Sequence, residues 1–298
     1  MLVLTLTAGC GGRSGGPAAP SAPAAPGQPM PVSPAAGAIV DSQTPTLVVR
    51  NASGFDAGQA TYDFVVVAGT SDAVIEQVTS VPAGSSQTSA ALPQPLVRGV
   101  EYRWKAVAHA GGRTTESTLT AFQIGVPCEG AASDPWAKAV VASFFTQCTL
   151  RTNRAIFLDP RSALGPPDAR GGGQNGIENY SGIVSLGQNG YIVLDMGVCI
   201  EDRTGADVRV FQYIDDEPVT VRVSGSPGGP WALLGTKRCG DGGLPYNSNH
   251  CDFDLAGSGL KAARYVWVED AENFPCDEAG TRTEGADVDA VEAVNIRR

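Results

Sequence analysis

The stretch Thr61-Tyr-Asp-Phe-Val-Val-Val67 decides the class of the fold, because Tyr62, Phe64 and Val66 alternate along it and would occupy one face of an extended strand. Similar short runs lie on both sides of it, and clusters of Gly, Ser, Asn and Pro separate them. These runs are Thr46–Val49, Ala73–Val78, Tyr102–Val107 and Thr120–Ile124. Residues 35–127 are therefore predicted to form a β-sandwich domain.

The rest of the chain repeats the alternating pattern over a longer range. The runs are Val140–Phe145, Gly190–Asp195, Asp207–Tyr213, Val219–Ser224, Trp231–Leu234, Ala263–Val268 and Val288–Val294. A chain of 298 residues with 37 Gly and 21 Pro is long enough for two domains made of short strands and turns. The prediction is an all-β fold class with two β-sandwich domains, the second of which covers residues 128–298.

The first 34 residues have a different character. Met1–Cys10 resembles the end of a bacterial lipoprotein signal peptide, in which small residues precede a cysteine that becomes lipidated. Residues 11–34 are rich in Pro, Ala and Gly, which predicts a disordered tether that cannot build a core. The resemblance implies an exported protein whose only membrane contact is a lipid anchor at Cys10. The alternative is a disordered tail with a chance cysteine.

The net charge of −10 is unevenly distributed along the chain. From Cys128 onward there are 24 Asp and Glu against 15 Lys and Arg, a net charge of −9. An acidic surface repels phosphates, so no nucleic acid is expected as a partner. The acidic excess of the second domain suits cation binding, and plain solubility is the alternative.

The other six cysteines all lie in the second domain. An even set in an exported domain indicates three disulfides, whereas zinc is disfavoured because no CxxC pair is present. Proximity along the chain favours Cys239–Cys251 and Cys128–Cys148, which leaves Cys199–Cys276.

Residues 35–127 resemble a bacterial fibronectin type III domain, a member of the immunoglobulin-like sandwiches. The resemblance rests on Ser42–Leu47 at the first strand, on Leu96–Trp104 before a central strand, and on Phe122. It implies a spacer or an adhesion module.

The second domain resembles a galactose-binding-like (discoidin-like) jelly roll over about residues 134–298. The matching blocks, in order, are Ala163–Ala169, Leu186–Asp195, Gly205–Phe211, Pro218–Ser224 followed by Trp231–Gly235, Phe253–Leu260 with Ala263–Val266, and Gly285–Val291. Such domains bind carbohydrate, lipid or protein, so the resemblance implies a fold and leaves the ligand open.

The same resemblance implies a structural calcium ion where an N-terminal loop meets the last strand. Calcium takes oxygen ligands, and the expected ligands are Asp168, Asp207, Asp287, Asp289 and Glu292. Asp287 and Asp289 are two residues apart on one predicted strand, so their charges repel unless a cation lies between them. The alternative is that Asp289 caps a turn while Asp287 pairs with an arginine such as Arg282 or Arg264.

A carbohydrate site would need an exposed aromatic ring with polar neighbours, on loops at one end of the sandwich. The candidates are Trp231 and, inside the loop closed by Cys239–Cys251, Tyr246, Asn247, Asn249 and His250. A solvated turn is the alternative for that loop.

The sequence predicts a non-catalytic protein. It contains neither a GxSxG nor an HExxH motif, and its two histidines lie in different domains. The leading hypothesis is a lipid-anchored, monomeric binding protein of the cell envelope or surface, with a glycan or another extracellular ligand as partner. The alternatives are a structural or adhesive envelope protein that binds another protein and, more distantly, a glycoside hydrolase that uses Asp215–Glu217 or the Asp287/Asp289 pair.

Overall fold

A computed structural model describes residues 25–55, 58–128, 134–145, 157–170, 181–213, 217–240, 249–271 and 285–297. These residues form β-strands and a short 3-10 helix at Pro160–Ala163. The strands lie in four sheets, almost entirely antiparallel, that pack as β-sandwich domains, so the predicted all-β class is confirmed. Within these ranges, helices of the length and apolarity that a bilayer crossing requires do not occur.

The first sandwich packs a small sheet against a larger one. The small sheet has the order β1 (Met30–Ser33), β3 (Thr46–Arg50), β6 (Gln87–Ala91). The larger sheet has the order β2 (Ala38–Val40), β9 (Thr120–Ile124), β7 (Glu101–Ala110), β4 (Thr61–Ala68), β5 (Val74–Pro82), and β8 (Arg113–Glu116) pairs with β7.

Large aromatic side chains fill the core of the first sandwich. Tyr62, Phe64 and Trp104 are buried, and the rings of Phe64 and Trp104 stack with centroids 6.3 Å apart. Each polar end has a partner: the backbone N–H of Ala52 donates to the Tyr62 hydroxyl at 2.8 Å, and Trp104 Nε1 donates to the carbonyl of Pro34 at 3.1 Å. Burial raises the pKa of Tyr62, so its hydroxyl stays protonated.

The predicted tether does not extend to residue 34. Met30–Ser33 forms β1, which pairs antiparallel with β3, and the next residue provides the carbonyl for Trp104. The prolines that suggested a tether are tolerated here because β1 is an edge strand, where a missing N–H can face away from the ladder. The first sandwich therefore begins before residue 35.

The second sandwich also has two sheets. One has the order β10 (Ala139–Phe144), β12 (Tyr191–Glu201), β17 (Ala262–Asp270), β14 (Pro218–Ser224), β15 (Ala232–Arg238). The other has the order β11 (Val184–Ser185), β18 (Asp287–Ala293), β13 (Val208–Gln212), β16 (His250–Phe253).

Alternation sets which face of each strand is buried in the second sandwich. On β14, Val219, Val221 and Val223 are fully buried, whereas Thr220 and Arg222 between them are only half-buried. Val266 and Val268 of β17 join the same core. The five-stranded sheet therefore has an apolar inner face and a separate outer face, on which Tyr191, Arg222 and Trp267 lie.

The disulfides correct part of the predicted pairing. Cys239 and Cys251 are bonded as predicted and join β15 to β16. Cys128, however, is bonded to Cys199 of β12, with the two Cα atoms 5.4 Å apart, so neither Cys128–Cys148 nor Cys199–Cys276 forms. Cys148 and Cys276 lie outside the described residues. Proximity along the chain gave the wrong partner for Cys128, because the segment after β9 lies against β12, which is distant in sequence. The two disulfides within the described part of the chain indicate an exported protein.

The position of β1 leads to a prediction about truncation. Removal of residues 1–24 should leave the melting temperature unchanged, whereas removal of residues 1–34 should lower it. The longer deletion removes β1 and the acceptor of the buried Trp104 N–H, and an unsatisfied buried donor alone costs about 1–3 kcal/mol. Thermal unfolding followed by near-UV circular dichroism would measure this. Equal melting temperatures would show that residues 25–34 behave as the tether that composition suggested.

Candidate functional site

The five acidic residues predicted to bind calcium do not form one site. Asp287 and Asp289 lie at the start of β18, and the backbone N–H of Asp168 donates to Asp289 at 3.0 Å. The backbone carbonyl of Asp207 instead accepts from the backbone N–H of Val294. Val294 is five residues beyond Asp289, which places it about 17 Å further along the strand at about 3.4 Å per residue. Glu292 pairs with Arg209 at 3.3 Å. The predicted set therefore divides between the two ends of β18.

Asp289 holds the loop before β11 against the last strand. Its Oδ1 accepts from the backbone N–H groups of Asp168 and Ala169 at 3.0 and 3.2 Å, and its side chain is buried. The pKa of Asp289 is raised to about 6, chiefly by burial and to a smaller extent by the nearby Asp168 carboxylate, against the lowering effect of the two N–H donors. Asp289 thus acts as a bridge between loop and strand, close to the capping alternative considered above.

The surroundings of Asp287 and Asp289 include polar groups that the sequence analysis missed. Ser185 Oγ donates to Asp287 Oδ1. Gln212, whose register partner on β18 is Val288, is buried, and neither amide atom of its side chain has a partner among the described residues. The signals available in the sequence were a Ser after the apolar pair Ile183-Val184 and a Gln between Phe211 and Tyr213.

A different set of acidic residues, three aspartates, does bring its carboxylates together. Among the described residues, Asp202, Asp207 and Asp254 bring one carboxylate oxygen each within 4.8 Å of one another, and this group could hold a metal ion. Asp207 is buried, Asp202 is half-buried and Asp254 is exposed. The carboxylate of Asp207 already accepts from Leu255 N and Asn295 Nδ2, both at 2.9 Å, and Lys261 Nζ lies 3.1 Å from Asp202. Asp207 Oδ1 also accepts from the backbone N–H of Arg203 at 3.2 Å, so its two lone pairs are used. Asp207 Oδ2 and the carboxylates of Asp202 and Asp254 have further lone pairs, so an oxygen-binding cation fits in competition with Lys261.

A continuous row of aromatic rings lies on the outer face of the five-stranded sheet. Phe144, Tyr191 and Trp267 come from β10, β12 and β17; the first two ring centroids are 6.0 Å apart and the last two are 4.3 Å apart, with interplanar angles of 28° and 27°. Trp231, just before β15, meets Trp267 edge-on at 5.4 Å. Nearly parallel rings at this spacing stabilise neighbouring strands through cross-strand pairs.

Charged and exposed apolar side chains complete this surface. The Arg222 guanidinium lies 5.9 Å from the Trp267 ring centroid and pairs with Glu269. Phe144 at one end of the row is 52% exposed, and Leu233, the register partner of Arg222 on β15, is 58% exposed. We call the surface formed by Phe144, Tyr191, Arg222, Trp231, Leu233, Trp267 and Glu269 the aromatic face. Aromatic residues and arginine are the residue types that are enriched in protein–protein interfaces.

The residues predicted to bind a ligand are dispersed. Tyr246 and Asn247 lie outside the described residues. His250 is exposed at the start of β16, with its ring 5.5 Å from that of Phe211, and the buried Oδ1 of Asn249 has no partner in the described part of the chain. Trp231 lies at the opposite end of β15 from Cys239, about 27 Å away at about 3.4 Å per residue. The structure therefore does not bring Trp231 to His250 and places it on the aromatic face.

Comparisons with known proteins show only distant similarity. No protein-family model matches the chain, and neither does any curated protein. An α-L-rhamnosidase of Streptomyces avermitilis, complexed with L-rhamnose, is 13% identical with a TM-score of 0.29; the alignment covers 82% of this chain and 22% of that one. For the α-L-rhamnosidase of Dictyoglumus thermophilum the identity is 11%, the TM-score 0.28, and the coverage 89% and 27%.

A third solved structure, the FN1–FN3 domains of chicken CNTN1, is 10% identical with a TM-score of 0.24, over 82% of this chain and 61% of that one. The chain spans only 22% and 27% of the length of the two rhamnosidase chains. At these values the likenesses concern β-sandwich architecture and carry no argument about activity.

The environment of Asp289 predicts a particular pH dependence of stability. Its folded pKa of about 6 lies above the ordinary value of 3.8, so the folded state takes up a proton before the unfolded state does. The penalty for burying the ionised carboxylate is full above pH 6 and is relieved as the pH falls from 6 to 3.8. When the pH is lowered from about 7.5 to about 5, this relief should raise the melting temperature of the unchanged protein. The rise should be smaller in Asp289→Asn, with EDTA present in both samples to remove metal ions.

The amide of Asp289→Asn can still accept from Asp168 and Ala169, which separates loss of charge from loss of the bridge. Asp254→Asn, at an exposed position, is the matched control and should keep the original pH dependence. Identical pH profiles for Asp289→Asn and the unchanged protein would contradict the assignment of this titration to Asp289.

Proposed function

We propose that the chain is a non-catalytic binding protein of the cell surface, which binds a carbohydrate or another extracellular ligand on the aromatic face of the second sandwich. The observation that carries the proposal is the row Phe144–Tyr191–Trp267–Trp231 with Arg222 and Glu269 beside it. A half-exposed phenylalanine and a half-exposed leucine at the two ends leave apolar area open to a ligand.

Carbohydrate is the leading ligand because this surface combines rings with groups that bind hydroxyls. The charged groups of Arg222 and Glu269 provide donors and acceptors next to the Trp267 ring. Trp231 meets Trp267 edge-on rather than ring face to ring face, so its own faces are not stacked on that neighbour. An apolar ring with polar groups at its rim is the usual composition of a small-molecule site.

A protein ligand is the alternative, and one observation favours it. Tyr191 and Trp267 stack on each other and Arg222 lies over Trp267, so neighbouring side chains cover part of these ring faces. Trp, Tyr and Arg together are also the residues that dominate protein–protein binding energy. On this alternative the chain is a structural or adhesive envelope protein.

Two further features belong to the proposal. Lipidation at Cys10 would anchor the chain to a membrane; Cys10 lies outside the described residues, and the support is the small residues before it in the sequence.

Calcium is the proposed ion at Asp202, Asp207 and Asp254, because all three side-chain ligands are oxygens. Three carboxylates leave the rest of the coordination sphere to backbone oxygens and water.

The ligand proposal predicts that substitutions on the aromatic face abolish glycan recognition. Trp231→Ala and Phe144→Ala should each weaken binding to the glycans retained on an array by about tenfold or more, which corresponds to about 1.4 kcal/mol. Leu119→Ala, at a 42% exposed position of the first sandwich, is the control and should leave binding unchanged. Retention of glycans by both face variants would exclude this surface, and no binding to any glycan would favour the protein alternative.

The calcium proposal predicts a metal-dependent melting temperature. EDTA should lower it, added calcium should restore it, and Asp254→Asn should remove most of the difference, since an ion that binds only the folded state stabilises that state, and more so as its concentration rises above Kd. Asp254 is suited to the test because it is exposed, so its substitution leaves the buried Asp207 in place. Asp168→Asn at the other end of β18 is the control. A melting temperature that EDTA does not change would show that these three carboxylates hold no ion.

A further inference from the structure

The two sandwiches share backbone hydrogen bonding. Val100 of the first sandwich and Leu260 of the second form an antiparallel β-bridge, and the N–H of Lys261 donates to the carbonyl of Gly99 at 2.6 Å. The loop that contains Gly99 is in turn fixed within its own domain, since Gly99 N–H donates to Ile124 at 2.8 Å and the Arg98 guanidinium donates to the carbonyl of Gly125 at 2.8 Å. A loop that is hydrogen-bonded within the first domain therefore pairs with the segment just before β17 of the second.

Two glycines let the domains approach more closely than side chains would permit. A Cβ atom on Gly99, whose φ is +81°, would lie 2.1 Å from the carbonyl oxygen of Ala262. A Cβ atom on Gly225, directly after β14, would lie 2.9 Å from the Cβ of Arg98. Both contacts connect the first sandwich to the second, so the sequence at these positions fits this one arrangement of the domains.

The segment between the domains is fastened to the second sandwich. Cys128 is bonded to the buried Cys199 of β12, and Val126 packs with Cys199 and Ala262 in a small apolar cluster. Arg264 Nη1 donates to the carbonyl of Pro127 at 2.9 Å, while its other nitrogens hold both oxygens of Asp195 at 2.7 and 2.8 Å. The linker therefore has covalent, apolar and charge-assisted contacts within a few residues.

We infer that the two sandwiches form one rigid body and that the Cys128–Cys199 disulfide fixes their relative orientation. Domains joined by short polar contacts move relative to one another by default. Here the Cys128–Cys199 disulfide attaches the linker to β12, and the β-bridge between Val100 and Leu260 connects the two domains at a second place. The first sandwich thus orients the second, rather than acting as a flexible spacer. This inference is independent of which ligand the aromatic face binds.

The test is a distance distribution between spin labels on the two domains of the oxidised full chain. Labels on non-canonical amino acids at Thr79 and Thr204, both exposed, leave every cysteine in place. Dipolar electron paramagnetic resonance should give one narrow distance. The double substitution Cys128→Ser with Cys199→Ser should broaden it, whereas Cys239→Ser with Cys251→Ser, which removes a disulfide inside the second sandwich, should leave it narrow. A broad distribution in the unchanged protein, or a narrow one without the Cys128–Cys199 bond, would overturn the inference.

A second pair of variants covers the case in which the serine double variant does not fold. Gly99→Ala should broaden the distribution, because its new methyl group meets Ala262. Gly112→Ala is the matched control: Gly112 also has a positive φ, +75°, in the first sandwich, but nothing lies within 4 Å of its Cβ position. Both variants place an alanine at a similar positive φ, so equal distributions in the two would contradict a joint built on the Gly99 contact.

Discussion

The alternation of buried and exposed side chains along each strand is the constraint on which the rest of the second sandwich depends. A shift of register by one residue would turn Val219, Val221 and Val223 of β14 outward, so the core fixes the register of that strand. With the register fixed, Arg222 necessarily lies opposite Trp267 of β17, and Leu233 lies opposite Arg222 on the other side. The aromatic face is thus a consequence of how the core is packed.

The same constraint explains which strands the sequence predicted. β4, β7 and β14 alternate clearly and were predicted within a few residues. β1 was missed because its prolines suggested a tether, and β16 was missed because His250–Phe253 is short and follows a polar loop. Alternation reports the burial of one strand at a time. It holds no information about which strands become neighbours.

That limit also explains the errors at the candidate sites. Cys128 and Cys199 are 71 residues apart in sequence, so proximity along the chain could not pair them. Trp267 lies inside the predicted strand Ala263–Val268, and only the neighbouring strands reveal Tyr191 on one side and Arg222 on the other. The acidic residues were collected by type and by their place near the last strand, although Asp207 and Asp289 belong to opposite ends of it. The residue types indicated which chemistry a site could have, but only the fold shows which of those residues lie close together.

The cross-link between Cys128 and Cys199 also determines how the molecule would carry mechanical load. If the first sandwich is held and a ligand on the aromatic face is pulled, tension leaves β9, passes through Val126 and Pro127, and enters β12 directly through the sulfur atoms. The chain between residues 129 and 198 is bypassed. β12 also carries Tyr191, a member of the aromatic face, so one force path from the first domain to such a ligand runs along this strand and loads it lengthwise, against several ladder bonds together.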